Sequence, residues 1–237
     1  MADLEKLFST KKPIIGMIHL AGKDFQDRVR RGIDEMLLYD SQRVDGVIIE
    51  DYHGGEEELL EVLEQSSHSS LRIIRGINFL KDPYSSFELA NRFGARFIQF
   101  DSVQTQSLDL RRYRLLRRNY PEIVVLGGVE FKYQQPINNP LAQELEEAKS
   151  RCDAIVTTGS GTGVETPIEK LRTYKRLLES FFLFIGAGVD ISNVREQLAV
   201  ADGAIIGSYF KPKKNTNLPI DKQKIKALME VVKQLRE

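Results

Sequence analysis

Eight short runs of β-branched and aliphatic residues punctuate the chain: Ile14–Leu20, Gly46–Asp51, Ile73–Phe79, Ala95–Asp101, Ile123–Glu130, Ala154–Gly159, Phe181–Gly188 and Gly203–Ser208. They recur roughly every 22–32 residues, the spacing that a strand and a returning helix need. Most are apolar at nearly every position instead of alternating, as suits parallel strands covered on both faces. The segments between them carry helix-start signals. Thr166-Pro167-Ile168-Glu169 reads as a capping box with proline at the first helical position. Asp82-Pro83 and Asn139-Pro140 give the same cap-then-proline signal, and Glu56-Glu57-Glu58 puts negative charge in a first turn. A last helix is expected over about Asp221 to Leu235, where Lys alternates with Ile, Leu, Met and Val at helical spacing.

Loop lengths are asymmetric along this series. Helix-to-strand joins such as Arg92-Phe93-Gly94 and Asn119-Tyr120-Pro121-Glu122 are tight, whereas the two longest loops, Phe131–Asn139 and Tyr209–Ile220, both follow strands. The elaboration therefore falls on the C-terminal face, where barrel enzymes carry their sites. Strict alternation without a linker predicts a single (β/α)8 TIM barrel over residues 1–237, with a doubly wound open sheet as the alternative.

In such a fold the polar residues at the tops of apolar strands are informative, because a parallel strand has no solvated face on which to place them. They are His19, Glu50 with Asp51, Asn78, Asp101, Glu130 with Lys132 following, and Thr158. Period two puts Gln99 and Asp101 on one side, and likewise Gly128, Glu130 and Lys132. Lys132, His19, Glu130, Asp101, Glu50 and Asn78 are thus the candidate reacting groups. The competing reading is that Asp101 and Glu50 cap loops or pair with Arg72, Arg75 or Lys132, and that Lys132 is a solvated loop lysine among Gln134, Gln135 and Asn138. As a site residue Lys132 has two roles open to it, a charge clamp on substrate or a desolvated amine for Schiff-base or base chemistry. His53 is as compatible with solvent as with function, and His68 reads as surface.

The last two runs each end in glycine, and the first leads into a helix start expected at Ser192. Backbone N–H groups at Gly186, Gly188, Val189, Gly207 and Ser208 would offer an anion site there, the place where barrels hold phosphate after strands 7 and 8. The run Thr158-Gly159-Ser160-Gly161-Thr162-Gly163 lacks both the Gly-Lys-Ser/Thr ending of a nucleotide P-loop and the dinucleotide Gly-x-Gly-x-x-Gly spacing. It still permits close approach to a ligand, so Gly159 and Ser160 join the phosphate-binding candidates.

Composition narrows the partners. The 34 basic and 34 acidic residues cancel, which disfavours nucleic acid as a partner. The single cysteine, Cys152, excludes an internal disulfide and cysteine metal clusters, and fits a reducing compartment. The longest apolar run, Phe181 to Val189, falls short of the roughly 20 residues of a membrane helix. No secretory h-region follows Met1, so a cytoplasmic protein without a transmembrane segment is expected. No cofactor is required by any motif. A divalent metal held by His19, Glu50, Asp51 and His53 is kept as an alternative on ligand type alone, unsupported by His-x-His or His-Glu-x-x-His spacing. The sequence leaves a homo-oligomer open.

The segment Lys12-Pro-Ile-Ile-Gly-Met-Ile-His19-Leu resembles the opening of the BtpA (BtpA/SgcQ) family. The resemblance continues through Asp45-Gly-Val-Ile-Ile-Glu50, Gly76-Ile-Asn78-Phe-Leu-Lys-Asp82 and Ala154-Ile-Val-Thr-Thr-Gly159-Ser160. It ends with Gly188-Val-Asp-Ile-Ser-Asn-Val and Ala201-Asp-Gly-Ala-Ile-Ile-Gly-Ser208-Tyr-Phe-Lys211. It implies a ribulose-phosphate-binding-like TIM barrel, kin to phosphosugar isomerases and lyases. The family's name comes from photosystem I biogenesis, which implies a non-catalytic assembly or regulatory role as the rival to an enzyme. His19, Asn78, Asp82, Lys132 and the Gly159-Ser160 turn match the family pattern. The proline-rich loop after the first His-Leu is reduced here to Ala21-Gly22-Lys23-Asp24. Around strand 5 the family's Asp-Val-His-x-Lys-His stands as Gly128-Val129-Glu130-Phe131-Lys132-Tyr133, keeping only the lysine.

These readings converge on a small phosphorylated ligand, a sugar or nucleoside phosphate, handled by acid-base chemistry of the isomerase, lyase or aldolase type. A metal-dependent hydrolase is the second alternative.

Overall fold

The computed structural model describes residues 4–237. Eight parallel strands close into a barrel in sequence order, with the last paired to the first. They are β1 (Ile14–Ile18), β2 (Gly46–Glu50), β3 (Ile74–Asn78), β4 (Phe97–Phe100), β5 (Val124–Gly128), β6 (Ala154–Thr157), β7 (Leu183–Ile185) and β8 (Gly203–Ile206). Each lies inside its expected run. Several runs end early because residues such as His19, Asp101 and Thr158 leave the ladder at the barrel mouth, whereas Glu50 and Asn78 stay within it.

A short helix α1 (Leu4–Leu7) precedes the barrel. Helices α2 (Phe25–Ser41), α3 (Glu56–Ser67), α4 (Ser86–Phe93), α5 (Leu110–Asn119), α6 (Leu141–Lys149), α7 (Ile168–Leu178), α8 (Val194–Val200) and α9 (Lys222–Arg236) form the outer layer. The open doubly wound sheet is excluded by closure.

Alternation along the strands sorts the core into two shells. Ile15, Met17, Ile48, Phe97, Val124, Leu126, Val156, Phe184 and Ile205 fill the lumen. Ile14, Ile18, Val47, Ile49, Ile77, Ile98, Val125 and Ile155 pack under the helices. Layers of inward side chains from neighbouring strands make such a lumen a packed core instead of a pore. Phe8, after α1, closes the bottom with its ring 5.6 Å from that of Phe97.

The helix-start signals hold unevenly. Asp82 accepts from the backbone N–H of Tyr84, but the proline opens a 3-10 turn, Pro83–Ser85, ahead of α4. Glu58 Oε2 accepts from the Gly55 N–H at 2.8 Å and caps the start of α3 from one side only. The last helix lies where it was expected, and Asp221 caps it by accepting from the Gln223 and Lys224 N–H groups. Thr166 does not cap α7: its hydroxyl donates to the Ala187 carbonyl at 3.2 Å and ties the loop after β6 to the loop after β7. Asn139 likewise donates to Glu144 at 3.2 Å instead of capping α6. The helix expected at Ser192 starts at Val194 and has seven residues.

Candidate functional site

Following the inward phase past the top of each lumen strand gives the mouth residues directly. Met17 leads to His19, Ile48 to Glu50, Gly76 to Asn78, Phe97 through Gln99 to Asp101, Phe184 to Gly186, and Ile205 to Gly207. His19, Glu50, Gln99, Asp101 and Lys132 line one side of a single cavity, and Gly186, Gly188, Val189, Gly207 and Ser208 line the other.

The side-chain half is a buried carboxyl pair held by amides. Glu50 and Asn78 stand opposite each other in the β2–β3 register. The Asn78 amide donates to Glu50 Oε1 at 2.7 Å and to Asp101 Oδ1 at 3.1 Å, and Gln99 Nε2 donates to Asp101 Oδ1 at 2.7 Å. Burial, reinforced by the Asp101 charge, pushes the Glu50 carboxyl up to about 8, while Lys132 and Asn78 oppose the shift. Glu50 is therefore a protonated acid near neutral pH beside a second carboxyl group. Asn78 itself sits behind the pair and lines the adjoining groove.

His19 is buried, and burial drives its imidazole well below its usual value, with the charges of Lys211, His53 and Lys132 adding to the effect. It is a neutral ring whose Nδ1 has no hydrogen-bond partner among the described residues. Lys211 owes its place to a buried ion pair with Glu35, at 2.9 Å. From there Lys211 adds to the larger effect of burial on the His19 ring. Lys132 donates its backbone N–H to Thr158 Oγ1 at 2.7 Å, and its ammonium lies 4.1 Å from the Phe131 ring centroid. It makes no ion pair among the described residues and lines the cavity.

The other half is backbone. Gly188 has φ +78°, and a Cβ there would fall 2.2 Å from the Val164 carbonyl, so only glycine lets the β7 loop pass under the β6 loop. Gly207 approaches His19 so closely that a Cβ would lie 2.7 Å from Cε1. The two halves thus touch at His19. The first turn at Ser192 contributes less than expected, because its N–H is capped by Asp190 Oδ1 at 2.9 Å.

Several sequence candidates lie elsewhere. Glu130 is not in the cavity. The chain turns after Gly128, Glu130 takes φ +47°, and its carboxylate accepts from Tyr174 Oη at 2.7 Å outside the barrel, with Lys170 Nζ at 3.6 Å. The alternation that would have put Gly128, Glu130 and Lys132 on one side ends with the strand. Gly159 packs against the Glu165 backbone and Ser160 is exposed; Thr162 and Gly163 of the same loop line the cavity in their place. Asp82 is a turn cap paired to Arg112 at 3.4 Å.

The four proposed metal ligands do not converge. Asp51 accepts from the Leu80 N–H at 2.7 Å, His53 bonds Thr216 at 2.9 Å, and the His19 and His53 ring centroids are 6.4 Å apart. Among the described residues no group of three or more His, Cys, Asp or Glu is placed to hold a metal ion.

Sequence reasoning passed over Gln99 as a site residue, although its phase with Asp101 was visible. It also passed over Tyr133, whose hydroxyl accepts from the Thr162 N–H at 3.0 Å and bridges the loops after β5 and β6 across the mouth. No sequence signal distinguishes that tyrosine from any other loop aromatic.

Residues 10–234 match the BtpA family, and the chain belongs to it. The photosystem I biogenesis protein BtpA of Synechocystis is 25% identical over 264 residues, covering 97% of this chain and 91% of its own. A solved phosphoribosyl anthranilate isomerase in complex with reduced 1-(o-carboxyphenylamino)-1-deoxyribulose 5-phosphate matches with TM-score 0.61 at 14% identity, over 94% of this chain and 99% of that one. A native KDPGal structure matches with TM-score 0.62 at 17% identity, over 95% and 96%. At these identities the likeness to solved structures is one of fold. No helix among the described residues is long and apolar enough to cross a membrane.

Proposed function

We propose that this BtpA-family barrel is an enzyme acting on a small phosphorylated compound, a sugar or nucleoside phosphate, by acid-base chemistry of the isomerase or lyase type. One observation carries the reading: a single cavity has a backbone wall at Gly188, Val189, Gly207 and Ser208 facing a wall of Glu50, Asp101, His19 and Lys132. Unlike functions on the two walls suit a ligand with unlike ends. The phosphate rests on the backbone side, where loops after the last two strands hold anions in barrels. The carbonyl or hydroxyl end meets the side chains. The phosphorylated ligand of the isomerase with the same fold supports this orientation by analogy of architecture alone.

Glu50, protonated up to about pH 8, donates a proton to a substrate oxygen. Lys132 stabilises the negative charge that develops there, and neutral His19, at the junction of the walls, hydrogen-bonds the same region without adding charge. Calorimetric titration with ribose 5-phosphate and related esters tests the reading, with saturable binding expected and competition by inorganic phosphate. Absence of saturable binding by any ester would remove the phosphate assignment.

The name of the Synechocystis relative favours one second reading, a non-catalytic assembly factor that retains the barrel. Under that reading Lys132→Ala and His19→Ala preserve biological activity, whereas changes on the partner-binding surface abolish it.

A further inference from the structure

The outer layer carries its charge in blocks, although the whole chain balances 34 bases against 34 acids. α5 holds five arginines and no acidic residue, and α3 holds five glutamates and no basic residue. Internal contacts use only part of each block. Arg112 reaches Asp82 at 3.4 Å and Arg117 reaches Asp153 at 3.0 Å, while exposed Arg111, Arg114 and Arg118 have no ion pair among the described residues. On α3, Glu58 pairs with Arg28 at 2.8 Å and Glu56 approaches Lys81 at 3.9 Å. Glu57 and Glu61 have no cationic partner among the described residues, and Glu64 has only His68 at 3.2 Å.

The leftover charges form two matching stripes. Arg111, Arg114 and Arg118 are the second, fifth and ninth residues of α5, and Glu57, Glu61 and Glu64 are the second, sixth and ninth of α3. Each stripe runs along one helix face for about 10 Å, starting one residue below the helix start at the mouth end. Like charges three and four residues apart destabilise the helix that bears them, and apart from His68 beside Glu64 neither stripe meets an opposite charge among the described residues. The two cannot relieve each other within one molecule because α4 lies between them.

We infer that the α3–α4–α5 face is the contact surface for a second copy of this chain, with the α3 glutamates of each protomer facing the α5 arginines of the other. Electrostatics also selects the symmetry. A two-fold axis running along α4, parallel to the barrel axis, puts α3 opposite α5 twice and keeps both stripes at the same height. A two-fold axis perpendicular to the helices would put α3 on α3 and α5 on α5, which repel. Such an isologous contact is the commonest closed arrangement of identical chains. An anionic polymer on α5 would satisfy the arginines alone and leave the matched glutamate stripe unexplained.

Sedimentation of the full chain reads the contact through a charge-swap experiment. A dimer is expected at about 50 mM salt, weakening at least about tenfold by about 500 mM as exposed charges are screened. Arg111→Glu with Arg114→Glu and Arg118→Glu gives a monomer, as does Glu57→Arg with Glu61→Arg and Glu64→Arg. An equimolar mixture of the two variants restores the dimer mass, because each then offers the complement the other lacks. Circular dichroism checks folding, and the single changes Arg114→Glu and Glu61→Arg, mixed in the same way, serve if a triple variant misfolds. A monomeric wild-type chain at low salt, or a mixture that stays monomeric, overturns the inference. Nucleic acid that co-purifies with a monomeric wild-type chain and is lost with the arginines overturns it in favour of the anionic polymer.

Discussion

The two walls of the mouth are built by different means. The wall after β7 and β8 is main chain, and its shape is set by where glycine is required, as at Gly188 with φ +78°. The wall above β1 to β5 is made of side chains, and its properties arise because the strands bring these groups together out of water. Glu50 is an ordinary glutamate until burial and Asp101 raise it to about 8. A backbone wall can bind but has no proton to give; a side-chain wall can exchange protons, at the cost of burying groups that water would stabilise. Under the proposed function, binding and reaction should therefore be separable by mutation.

Glu50→Gln should separate the two walls most. The amide keeps the size and can accept from Asn78, but it removes the acid, so turnover of a phosphorylated substrate should fall by about 10²–10⁴. The affinity for inorganic phosphate should stay within about twofold, a difference read by pairing kinetics with calorimetry. Equal loss of both would mean that the two walls act as one.

Gly188→Ala probes the opposite wall and should do the reverse. A left-handed backbone and a Cβ 2.2 Å from a carbonyl are strained together, and about 1–3 kcal/mol of stability should be lost. Phosphate binding should weaken by about tenfold or more, while the pH profile of any residual turnover keeps its shape. A profile that moved would place Gly188 in the proton chemistry.

Stability against pH gives a smaller effect with a definite sign. Glu50 titrates near 8 in the folded chain against an ordinary 4.5, so its contribution is full below 4.5 and is lost as pH rises through 8. His19, held well below 6.5, contributes in the opposite sense: its share is present above 6.5 and is lost as pH falls. The two oppose each other below 6.5, and from 6.5 to 8 Glu50 acts alone. Denaturant melts should therefore show stability falling by up to about 2 kcal/mol over that window. Glu50→Gln should flatten the slope, and an unchanged slope would show that Glu50 is not the group responsible.

Legibility in the sequence followed the same division. The eight strands could be read because buried parallel strands are apolar throughout, and the glycine-lined backbone wall of the cavity could be read because glycine after a strand is a local signal. His19, Glu50 and Asp101 were found because period two carries past a strand top when the chain stays extended. Where it does not, the phase argument fails. Gly128 cannot bear a Cβ, which would sit 2.0 Å from the Asp101 carbonyl, and the chain turns there. Gly159 and Ser160 were misplaced for a related reason: loop composition shows that a backbone can approach a ligand without showing which of its residues does. The buried Lys211–Glu35 pair joins residues 176 positions apart, beyond the reach of any local pattern.

The turn at Gly128 makes Glu130→Gln the smallest and most pointed of these changes. In the lumen, loss of the Glu130 charge would remove a reacting group and lower turnover by orders of magnitude. Outside the barrel, Gln can still accept the Tyr174 hydroxyl and loses only its attraction to Lys170, a partly exposed pair at 3.6 Å. Such pairs contribute about 0–1 kcal/mol. Lys170 also keeps its own bonds to the Glu130 and Thr158 carbonyls, at 3.1 and 3.0 Å, so the ends of β5 and β6 stay tied. Turnover within about twofold of wild type, with a thermal midpoint lower by about 2–4 °C at most, is the expected result. A tenfold loss of turnover without a loss of stability would return Glu130 to the reacting wall.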